Sequence, residues 1–396
     1  MAQGTPSEKR RSGQVTAESV EVWSDEEYAR ATGLLQILDE RSQADEARLP
    51  DLSAEALVRL FEGMLLSRLL DEQLLPLQRQ GRISHYFEAR GQEAGPIAGA
   101  HAILKTDYFV QGLREGAAAL YRGLPLAKYI AQVLGTAHDA GHGRQMPCHV
   151  GSAKVRHVST SSSVASQIPH AVGIAWAAKI RKERTVALCW FGDGATSEDD
   201  FHAGLNFAAV YKAPVVLVCQ NNQWAVSTPV AAQTRSETLA VKGLAYAVPS
   251  LRVDGNDVLA MYATIKAAVD AARAGKGPTF IEAVTYRLGA HSSADDPTQY
   301  RDTAEHADWE KRDPLLRFGH WLAGQEVLSS EAQAATRSRI DNEIRAAITA
   351  EEAVGPPPVA SMFDDVFARP TWLLEEQKAA YLARTSRIFV RSSSEV

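Results

Sequence analysis

A glycine-flanked acid and a pair of amides stand 26 residues apart in this chain, as Gly192-Asp193-Gly194 and Asn221-Asn222. Carboxylate and carboxamide oxygens are hard ligands that suit Mg²⁺, which in proteins usually also binds phosphate oxygens. Glycine lets a phosphate approach the backbone closely. The two motifs therefore predict a divalent cation that bridges to a phosphate. The competing interpretation is a tight strand-to-helix turn, in which Asp193 acts only as a cap and the amides only form a turn.

Each motif directly follows an apolar run rich in β-branched residues, 185–191 before the acid and 213–219 before the amides. These runs predict two buried strands, and the segment 197–211 between them predicts a helix. The helix has an N-cap candidate and an apolar stripe, namely Ser197, Phe201, Leu205, Ala208 and Ala209. A right-handed βαβ connection leaves both strand ends at one edge of a parallel sheet. Asp193 and Asn222 are therefore expected to meet in the crevice where such sheets bind ligands.

The rest of the chain alternates in the same way, which predicts a doubly wound α/β fold with a mostly parallel sheet. A long amphipathic helix is expected after Leu52 with Ser53 as its cap, and another buried strand over 279–286. Residues 135–151 are rich in Gly and His and predict a loop. The i,i+4 pair His138 and His142 is therefore not expected to form a helical zinc site.

Composition excludes several classes of function. The chain has 396 residues and a net charge of −6 with both signs dispersed, so nucleic-acid binding is not expected. No apolar run reaches the ~18 residues that cross a membrane. The polar start, residues 1–14, does not resemble a secretory signal and predicts a disordered arm. The three cysteines show no CxxC spacing, so free buried thiols in a reducing cytoplasm are expected.

The GDG-x26-NN pattern resembles the thiamine-diphosphate fingerprint, and its surroundings resemble the alpha subunit of the E1 component of 2-oxo acid dehydrogenase complexes. The supporting segments are residues 79–84 (RQGRIS), 143–147 (GRQMP), 165–169 (ASQIP), 252–257 (RVDGND), 285–296 (TYRLGAHSSADD) and 363–366 (FDDV). The resemblance extends over roughly residues 52–381. GRQMP and GAHSSADD are more similar to the branched-chain 2-oxo acid type than to the pyruvate type.

This resemblance implies a sheet of the thiamine-diphosphate-binding type. It divides the chain into an N-terminal arm (1–50, partly disordered), the cofactor-binding α/β domain (51–320) and a helical C-terminal extension (321–396) that packs on the body and ends in a loose tail. The implied activity is oxidative decarboxylation of branched-chain 2-oxo acids, as in 3-methyl-2-oxobutanoate dehydrogenase, with transfer of the acyl group to the lipoyl group of an E2 acyltransferase. Alternatives are a pyruvate or acetoin dehydrogenase alpha subunit and, more remotely, a non-catalytic scaffold.

The resemblance also assigns roles to residues of this sequence. The residues implied to bind thiamine diphosphate are Arg114, Ser162, Val164, Gly192, Asp193, Gly194, Ala195, Asn222 and His291. The implied Mg²⁺ ligands are Asp193, Asn222 and the backbone carbonyl of Trp224. A potassium site would comprise Ser161, Ser163, Ser166 and Gln167, although a serine-rich turn also suits simple N-capping.

Two of these residues also have a chemical rationale of their own. The guanidinium of Arg114 can hold a diphosphate in a bidentate way, unless it is a surface side chain paired with Glu115. His291 is the implied catalytic residue, and an unperturbed imidazole with a pKa of ~6.5 exchanges protons at working pH. The sequence departs from the branched-chain pattern at Leu113, where an aromatic residue is usual, and at Gln220, where Arg is usual. With fewer fixed cations, weaker cofactor retention is expected.

The chain is not expected to act alone. In the resembled family a separate beta subunit provides a glutamate that contacts the pyrimidine ring of the cofactor. An α2β2 heterotetramer with the cofactor at the α/β interface is therefore expected, docked onto a lipoylated E2. The acyl pocket would be shaped by Leu113, Val164, His85 and Tyr86 around a small 2-oxo acid.

Overall fold

The computed structural model describes residues 24–392, with side chains to 384. The expectation of a disordered start therefore lies outside the described residues. The expected loose tail from residue 388 is only partly covered, because the last helix continues to Ser392. Within the described part of the chain, no helix is long and apolar enough to cross a membrane.

Six parallel strands form the central sheet in the order β2-β1-β3-β4-β8-β7, which confirms the α/β fold class. A small antiparallel pair, β5 with β6, follows the amide motif. The strands are β1 (Tyr108–Val110), β2 (His157–Val158), β3 (Ala187–Gly192), β4 (Val215–Asn221), β5 (Trp224–Ala225), β6 (Thr228–Pro229), β7 (Ser250–Asp254) and β8 (Thr279–Val284).

Helices cover both faces of this sheet. They are α1 (Asp25–Thr32), α2 (Ala54–Arg79), α3 (Ala94–Ala102), α4 (Gly116–Tyr121), α5 (Leu126–Leu134), α6 (Gln167–Ile180), α7 (Asp199–Tyr211), α8 (Val230–Gln233), α9 (Val241–Leu244), α10 (Val258–Arg273), α11 (Thr303–Glu310), α12 (Pro314–Gly324), α13 (Ser330–Glu352) and α14 (Trp372–Ser392). Short 3₁₀ turns occupy Glu46–Arg48, Asp193–Ser197, Pro297–Gln299 and Val359–Phe363.

The alternation of side chains along β3 shows why the sheet is covered on both sides. Leu188 and Trp190 belong to the core beneath α2, α3 and α10. Cys189 and Phe191 belong to the core beneath α6 and α7 on the opposite face. Because successive residues of a strand point to opposite faces, a strand that is apolar at every position must be buried on both. Thus the doubly wound fold, predicted from the alternation of strands and helices, is confirmed.

The predicted βαβ unit is present, but its helix begins later than predicted. The chain leaves β3 through the 3₁₀ turn Asp193–Ser197, in which the Thr196 hydroxyl donates to the carbonyl oxygen of Asp193 at 2.8 Å. That turn includes Ser197, so α7 starts at Asp199, and the N-cap position falls on Glu198, whose side chain makes no capping bond. The prediction that Ser197 caps the helix was therefore wrong.

The helix predicted after Leu52 is α2, and Ser53 caps it by accepting the backbone N–H of Ala56. The described part of the N-terminal arm, residues 24–50, lies over the body of the same chain. Leu35 bridges to Val253 of β7, and the Asp257 carboxylate accepts the backbone N–H groups of residues 37 and 38 at 2.7 Å. At the other end, α12 and α13 pack on α2.

Candidate functional site

The two polar motifs meet at the carboxyl edge of the sheet, as predicted. β3 and β4 are parallel neighbours, with Gly192 opposite Gln220 in the register. Asp193 and Asn222, which follow these strands, line one cavity of about 320 Å³. The crevice is therefore the one in which parallel α/β sheets bind ligands.

Nearly all the residues selected from the sequence line this cavity. Those that do are Arg114, Ser161, Ser162, Ser163, Val164, Gln167, Gly192, Asp193, Gly194, Ala195, Asn222, Trp224 and His291. Among the residues proposed to bind the cofactor, Mg²⁺ or potassium, Ser166 is the exception. Among the remaining wall residues are Phe87, Gln92, Leu113, Gln220 and Arg287.

Asp193 is a buried carboxylate that forms no ion pair with any described residue. Its side chain is 1% exposed and accepts a hydrogen bond from the Gln233 amide at 2.7 Å. Burial raises the pKa of Asp193, while the Gln233 hydrogen bond, the field of Arg287 and the backbone of Asn222 lower it. No ion pair reaches it within the described part of the chain. A buried charge in this condition is costly unless a cation joins it.

The other two predicted metal ligands are held by neighbouring side chains. The Asn222 amide donates to Gln92 Oε1 at 2.9 Å, and its oxygen accepts the backbone N–H of Trp224 at 3.3 Å. The Trp224 carbonyl accepts from Arg287 Nη1 at 2.8 Å. A carbonyl oxygen has a second lone pair, so this bond leaves one acceptor site for a metal.

Arg114 is buried at the cavity, and its guanidinium does not pair with Glu115. The Glu115 carboxylate accepts the backbone N–H of Arg114 instead. The guanidinium donates to the carbonyl oxygens of Glu88 at 2.5 Å and His291 at 2.6 Å. Burial and the field of Arg287 lower the pKa of Arg114 to about 10, so it remains a cation at neutral pH. No ion pair involves it in residues 24–384.

A second guanidinium, that of Arg287, lines the same cavity and was not identified from the sequence. It is 1% exposed and donates to the carbonyls of Trp224 and Val226 and to the Tyr300 hydroxyl. Burial lowers the pKa of Arg287. The segment TYRLGAHSSADD contains this residue, but nothing in the sequence distinguishes it from a surface arginine. The expectation of few fixed cations at the site is therefore incomplete.

Gln220, which stands where Arg was expected, forms an amide pair with Gln92. Its Nε2 lies 3.2 Å from both the backbone and the side-chain oxygen of Gln92. Among the described residues, Gln92 Nε2 and Gln220 Oε1 are buried without a partner. The cavity therefore contains an uncharged donor and acceptor where a cation was expected.

His291 is neutral at working pH, which corrects the expectation of an unperturbed imidazole. Burial, then the fields of Arg114 and Arg287, lower the pKa of His291 to about 4. Its Nδ1 lies 3.4 Å from Arg114 Nη2, and its backbone N–H donates to Asp295 at 2.7 Å. Near pH 7 the imidazole is thus a hydrogen-bonding group and does not exchange a proton by titration.

The serine-rich turn before α6 is held by its own hydroxyls. Ser166 Oγ lies 3.0 Å from Ser161 Oγ and 2.9 Å from the carbonyl oxygen of Ser163. Ser166 occupies the N-cap position of α6 without a side-chain capping bond, so the N-capping interpretation was wrong. The Gln167 amide donates to the Trp190 carbonyl at 3.1 Å, and its Oε1 is buried without a partner among the described residues. Val164 is 58% exposed and lines the cavity.

The proposed acyl-pocket residues do not all face the cavity. Leu113 and Val164 do, and so does Phe87, which the sequence did not single out, whereas His85 does not line the cavity. Tyr86 is buried and does not face the cavity. Its hydroxyl donates instead to the carboxylate of Asp71, which lies behind the cavity wall. The histidines at 138 and 142 lie in turns, as predicted, and face acidic residues of the C-terminal part.

Comparison with known proteins identifies what this chain is similar to. Residues 62–359 match the profile of the dehydrogenase E1 component family. The chain is 41% identical over 345 residues to the Arabidopsis thaliana protein named 2-oxoisovalerate dehydrogenase subunit alpha 2, mitochondrial, which covers 87% of this chain and 73% of that protein. It is 39% identical over 358 residues to the pyruvate dehydrogenase E1 component subunit alpha of Staphylococcus aureus, with 89% and 94% covered.

Proposed function

The chain belongs to the dehydrogenase E1 component family, and on that premise we propose that it is the alpha subunit of a branched-chain 2-oxo acid dehydrogenase E1. The reaction is the oxidative decarboxylation of a branched-chain 2-oxo acid, in which the lipoyl disulfide of an E2 is the oxidant and accepts the acyl group. The family is thiamine-diphosphate-dependent. Mg²⁺, the beta subunit and the acyltransferase partner are part of the proposal.

One observation supports this function most strongly: a buried anion and a buried cation line the same cavity without pairing. Asp193 needs a cation and Arg114 needs an anion, and neither finds an ion-pair partner among the described residues. A divalent cation bound to a diphosphate satisfies both requirements at once. The residues present therefore fit magnesium thiamine diphosphate.

The roles follow from the positions of the side chains. Asp193, Asn222 and the Trp224 carbonyl would hold Mg²⁺. Arg114 would hold the diphosphate, and Arg287 adds a second positive field at the same wall. Gly194 must lack a side chain, since a Cβ there would lie 2.8 Å from the Cβ of Ala225.

The cavity wall that contains Ser162 and Val164 is left for the ring part of the cofactor. Backbone groups at Ser162 and Val164 would contact the aminopyrimidine ring of the cofactor. The exposed Val164 side chain would help to hold the cofactor in a bent conformation. When bound, thiamine diphosphate would supply the nucleophilic carbon that adds to the 2-keto group and the thiazolium ring that accepts the electron pair as CO₂ leaves. His291 would hydrogen-bond the transferring acyl group as a neutral imidazole. The unpartnered Gln167 Oε1 supports a potassium site with Ser161, Ser163 and Ser166.

An exposed aromatic face on α6 and α7 supports assembly with a beta subunit. Its exposed members are Trp176, Ile180, Phe207 and Val210. The ring of Tyr211 stacks on Trp176 at 4.2 Å and on Phe207 at 5.7 Å. Clustered apolar surface of this kind marks a protein interface. We infer an α2β2 heterotetramer, and the three buried free thiols support a cytoplasmic location.

The substrate preference rests on the relatives and on the GRQMP and GAHSSADD segments. Two plant relatives named for 2-oxoisovalerate are 41% and 40% identical, whereas the bacterial pyruvate relative is 39% identical. Because these values are close, pyruvate dehydrogenase is the second candidate.

Decarboxylation by the assembled pair tests this function. The full-length chain purified with its beta subunit is expected to release CO₂ from 3-methyl-2-oxobutanoate at least ~10-fold faster, in kcat/KM, than from pyruvate, since a few methylenes in an apolar pocket change this ratio by about that much. The chain alone is expected to give no turnover. Preference for pyruvate would favour the second candidate, and full turnover by the isolated chain would contradict the two-subunit model.

A further inference from the structure

A buried acid on α2, Asp71, lies behind the cavity wall and has no role in the proposed chemistry. It is 6% exposed, and no ion pair reaches it in the described part of the chain. Its Oδ1 accepts the Tyr86 hydroxyl at 2.9 Å, and its Oδ2 accepts the backbone N–H of Ala89, also at 2.9 Å. One carboxylate therefore ties both ends of the segment 86–89.

That segment contacts three parts of the site. The Phe87 ring lines the cavity and lies 6.1 Å from the His291 ring. The Glu88 carbonyl accepts Arg114 Nη1 at 2.5 Å. The backbone of Tyr86 exchanges two hydrogen bonds with Ser293, in the loop that contains His291. A shift of this segment would therefore move the wall, the guanidinium and the histidine loop together.

A small internal space connects Asp71 to the same guanidinium. It measures about 10 Å³, roughly the room that one water needs, and its lining includes Asp71, Tyr86, Leu113, Arg114 and Tyr129. Burial, then the fields of Glu88 and Glu93, raise the pKa of Asp71, so shared lining of this space rather than a fixed charge links Asp71 to Arg114. The acid thus stands on the far side of Arg114 from the cavity.

We propose that Asp71 is a positioning residue for cofactor binding: by holding the segment 86–89, it fixes Arg114 in the orientation that receives the diphosphate. This inference rests on the proposed function. Groups behind a binding residue commonly set its orientation, and their loss weakens binding without removing a direct contact. Asp71 touches neither cofactor nor substrate and acts through the Glu88 carbonyl and Phe87.

Three variants separate positioning from simple stabilisation. Asp71→Ala removes both bonds, and Tyr86→Phe removes only the bond at one end. Asp71→Asn is the conservative variant, because its oxygen can accept the Ala89 N–H while its amide donates to the Tyr86 oxygen. Asp257→Ala is the matched control, since Asp257 is a buried carboxylate that also accepts backbone N–H groups but lies outside the cavity wall.

The measurement is the dissociation constant of thiamine diphosphate with Mg²⁺, from tryptophan fluorescence of the full-length chain assembled with its beta subunit, well below each variant's Tm. Asp71→Ala is expected to raise the constant about 10-fold and Tyr86→Phe about 3-fold, as the loss of one or two hydrogen bonds implies. Asp71→Asn should restore near wild-type binding. At saturating cofactor, kcat should fall by a smaller factor than the affinity, because the contact of the Glu88 carbonyl with Arg114 is the one displaced directly.

The control, Asp257→Ala, should have a lower Tm and the same dissociation constant for thiamine diphosphate as the wild type. If Asp71→Ala and Tyr86→Phe both bind the cofactor as tightly as the wild type, the proposal is overturned. Should Asp71→Ala fail to fold, Tyr86→Phe decides alone. Wild-type protein that does not bind thiamine diphosphate would overturn the proposed function instead, so the two failures are distinguishable.

Discussion

Asp193→Asn is expected to abolish the Mg²⁺-dependent binding of thiamine diphosphate and, with it, all measurable decarboxylation. The substitution keeps the size of the side chain and an oxygen for the Gln233 bond, but it removes the charge that the metal requires. A loss of at least ~100-fold in cofactor affinity is expected, because the metal loses its charged ligand and the diphosphate loses its bridge. Calorimetric titration of the assembled protein with thiamine diphosphate and Mg²⁺ measures it.

The stability of the same variant distinguishes this loss from misfolding. In the cofactor-free protein the buried Asp193 carboxylate has a raised pKa, so its ionised form destabilises the native state at neutral pH. Asp193→Asn should therefore keep or raise the cofactor-free Tm while losing the rise in Tm that magnesium and cofactor produce. Asp199→Asn, on the exposed first turn of α7, is the control and should bind as the wild type does. A normal ligand-induced rise in Tm in Asp193→Asn would contradict the assignment.

Arg114→Met is expected to weaken thiamine diphosphate binding by about 100-fold, because charge-assisted bonds to a diphosphate contribute about 1.5–3 kcal/mol each. Affinity for thiamine, which lacks the diphosphate, should change little. The difference between the two ligands therefore isolates the contact of Arg114 with the diphosphate. Arg114→Lys keeps the charge but not the bidentate geometry and should be intermediate. Competition binding with both ligands is the measurement.

The matched control is Arg122→Met. Arg122 also donates to backbone carbonyls, those of Val155 and Asp107 among them, but it lies outside the cavity. Arg122→Met should lower the stability of the protein and leave the ratio of its affinities for thiamine diphosphate and thiamine unchanged. Equal weakening of thiamine and thiamine diphosphate by Arg114→Met would show that Arg114 shapes the wall rather than binds the diphosphate.

The part of the site that sequence predicts is the part built from one continuous βαβ unit. Apolar strands and turn residues follow one another along the chain, so the meeting of Asp193 with Asn222 required only the handedness of the crossover. The prediction that Ser197 caps α7 was wrong for a local reason. The same residue types occur in 3₁₀ turns and at N-caps, so the sequence does not distinguish them. The helix α10 was missed, although Asp257 caps it.

The side chains that hold the site in place were not predictable in this way. Gln233, Gln92 and Asp71 come from α8, from the segment before α3, and from α2, so only the folded chain brings them to the residues that they hold in place. The pKa of His291 depends on burial and on two arginines, and no spacing in the sequence indicates either. Arg287 shows the same limit, because a buried and an exposed arginine look alike in sequence.

The proposed site requires a divalent ion held between Asp193 and Asn222, and Mn²⁺ in place of Mg²⁺ makes that ion visible. Crystals of the assembled protein with thiamine diphosphate and Mn²⁺, measured at the manganese edge, should give an anomalous peak about 2.0–2.3 Å from the oxygens of Asp193 and Asn222 and next to the diphosphate. A bound cofactor with no peak there, or with Asp193 and Asn222 turned apart, would contradict it.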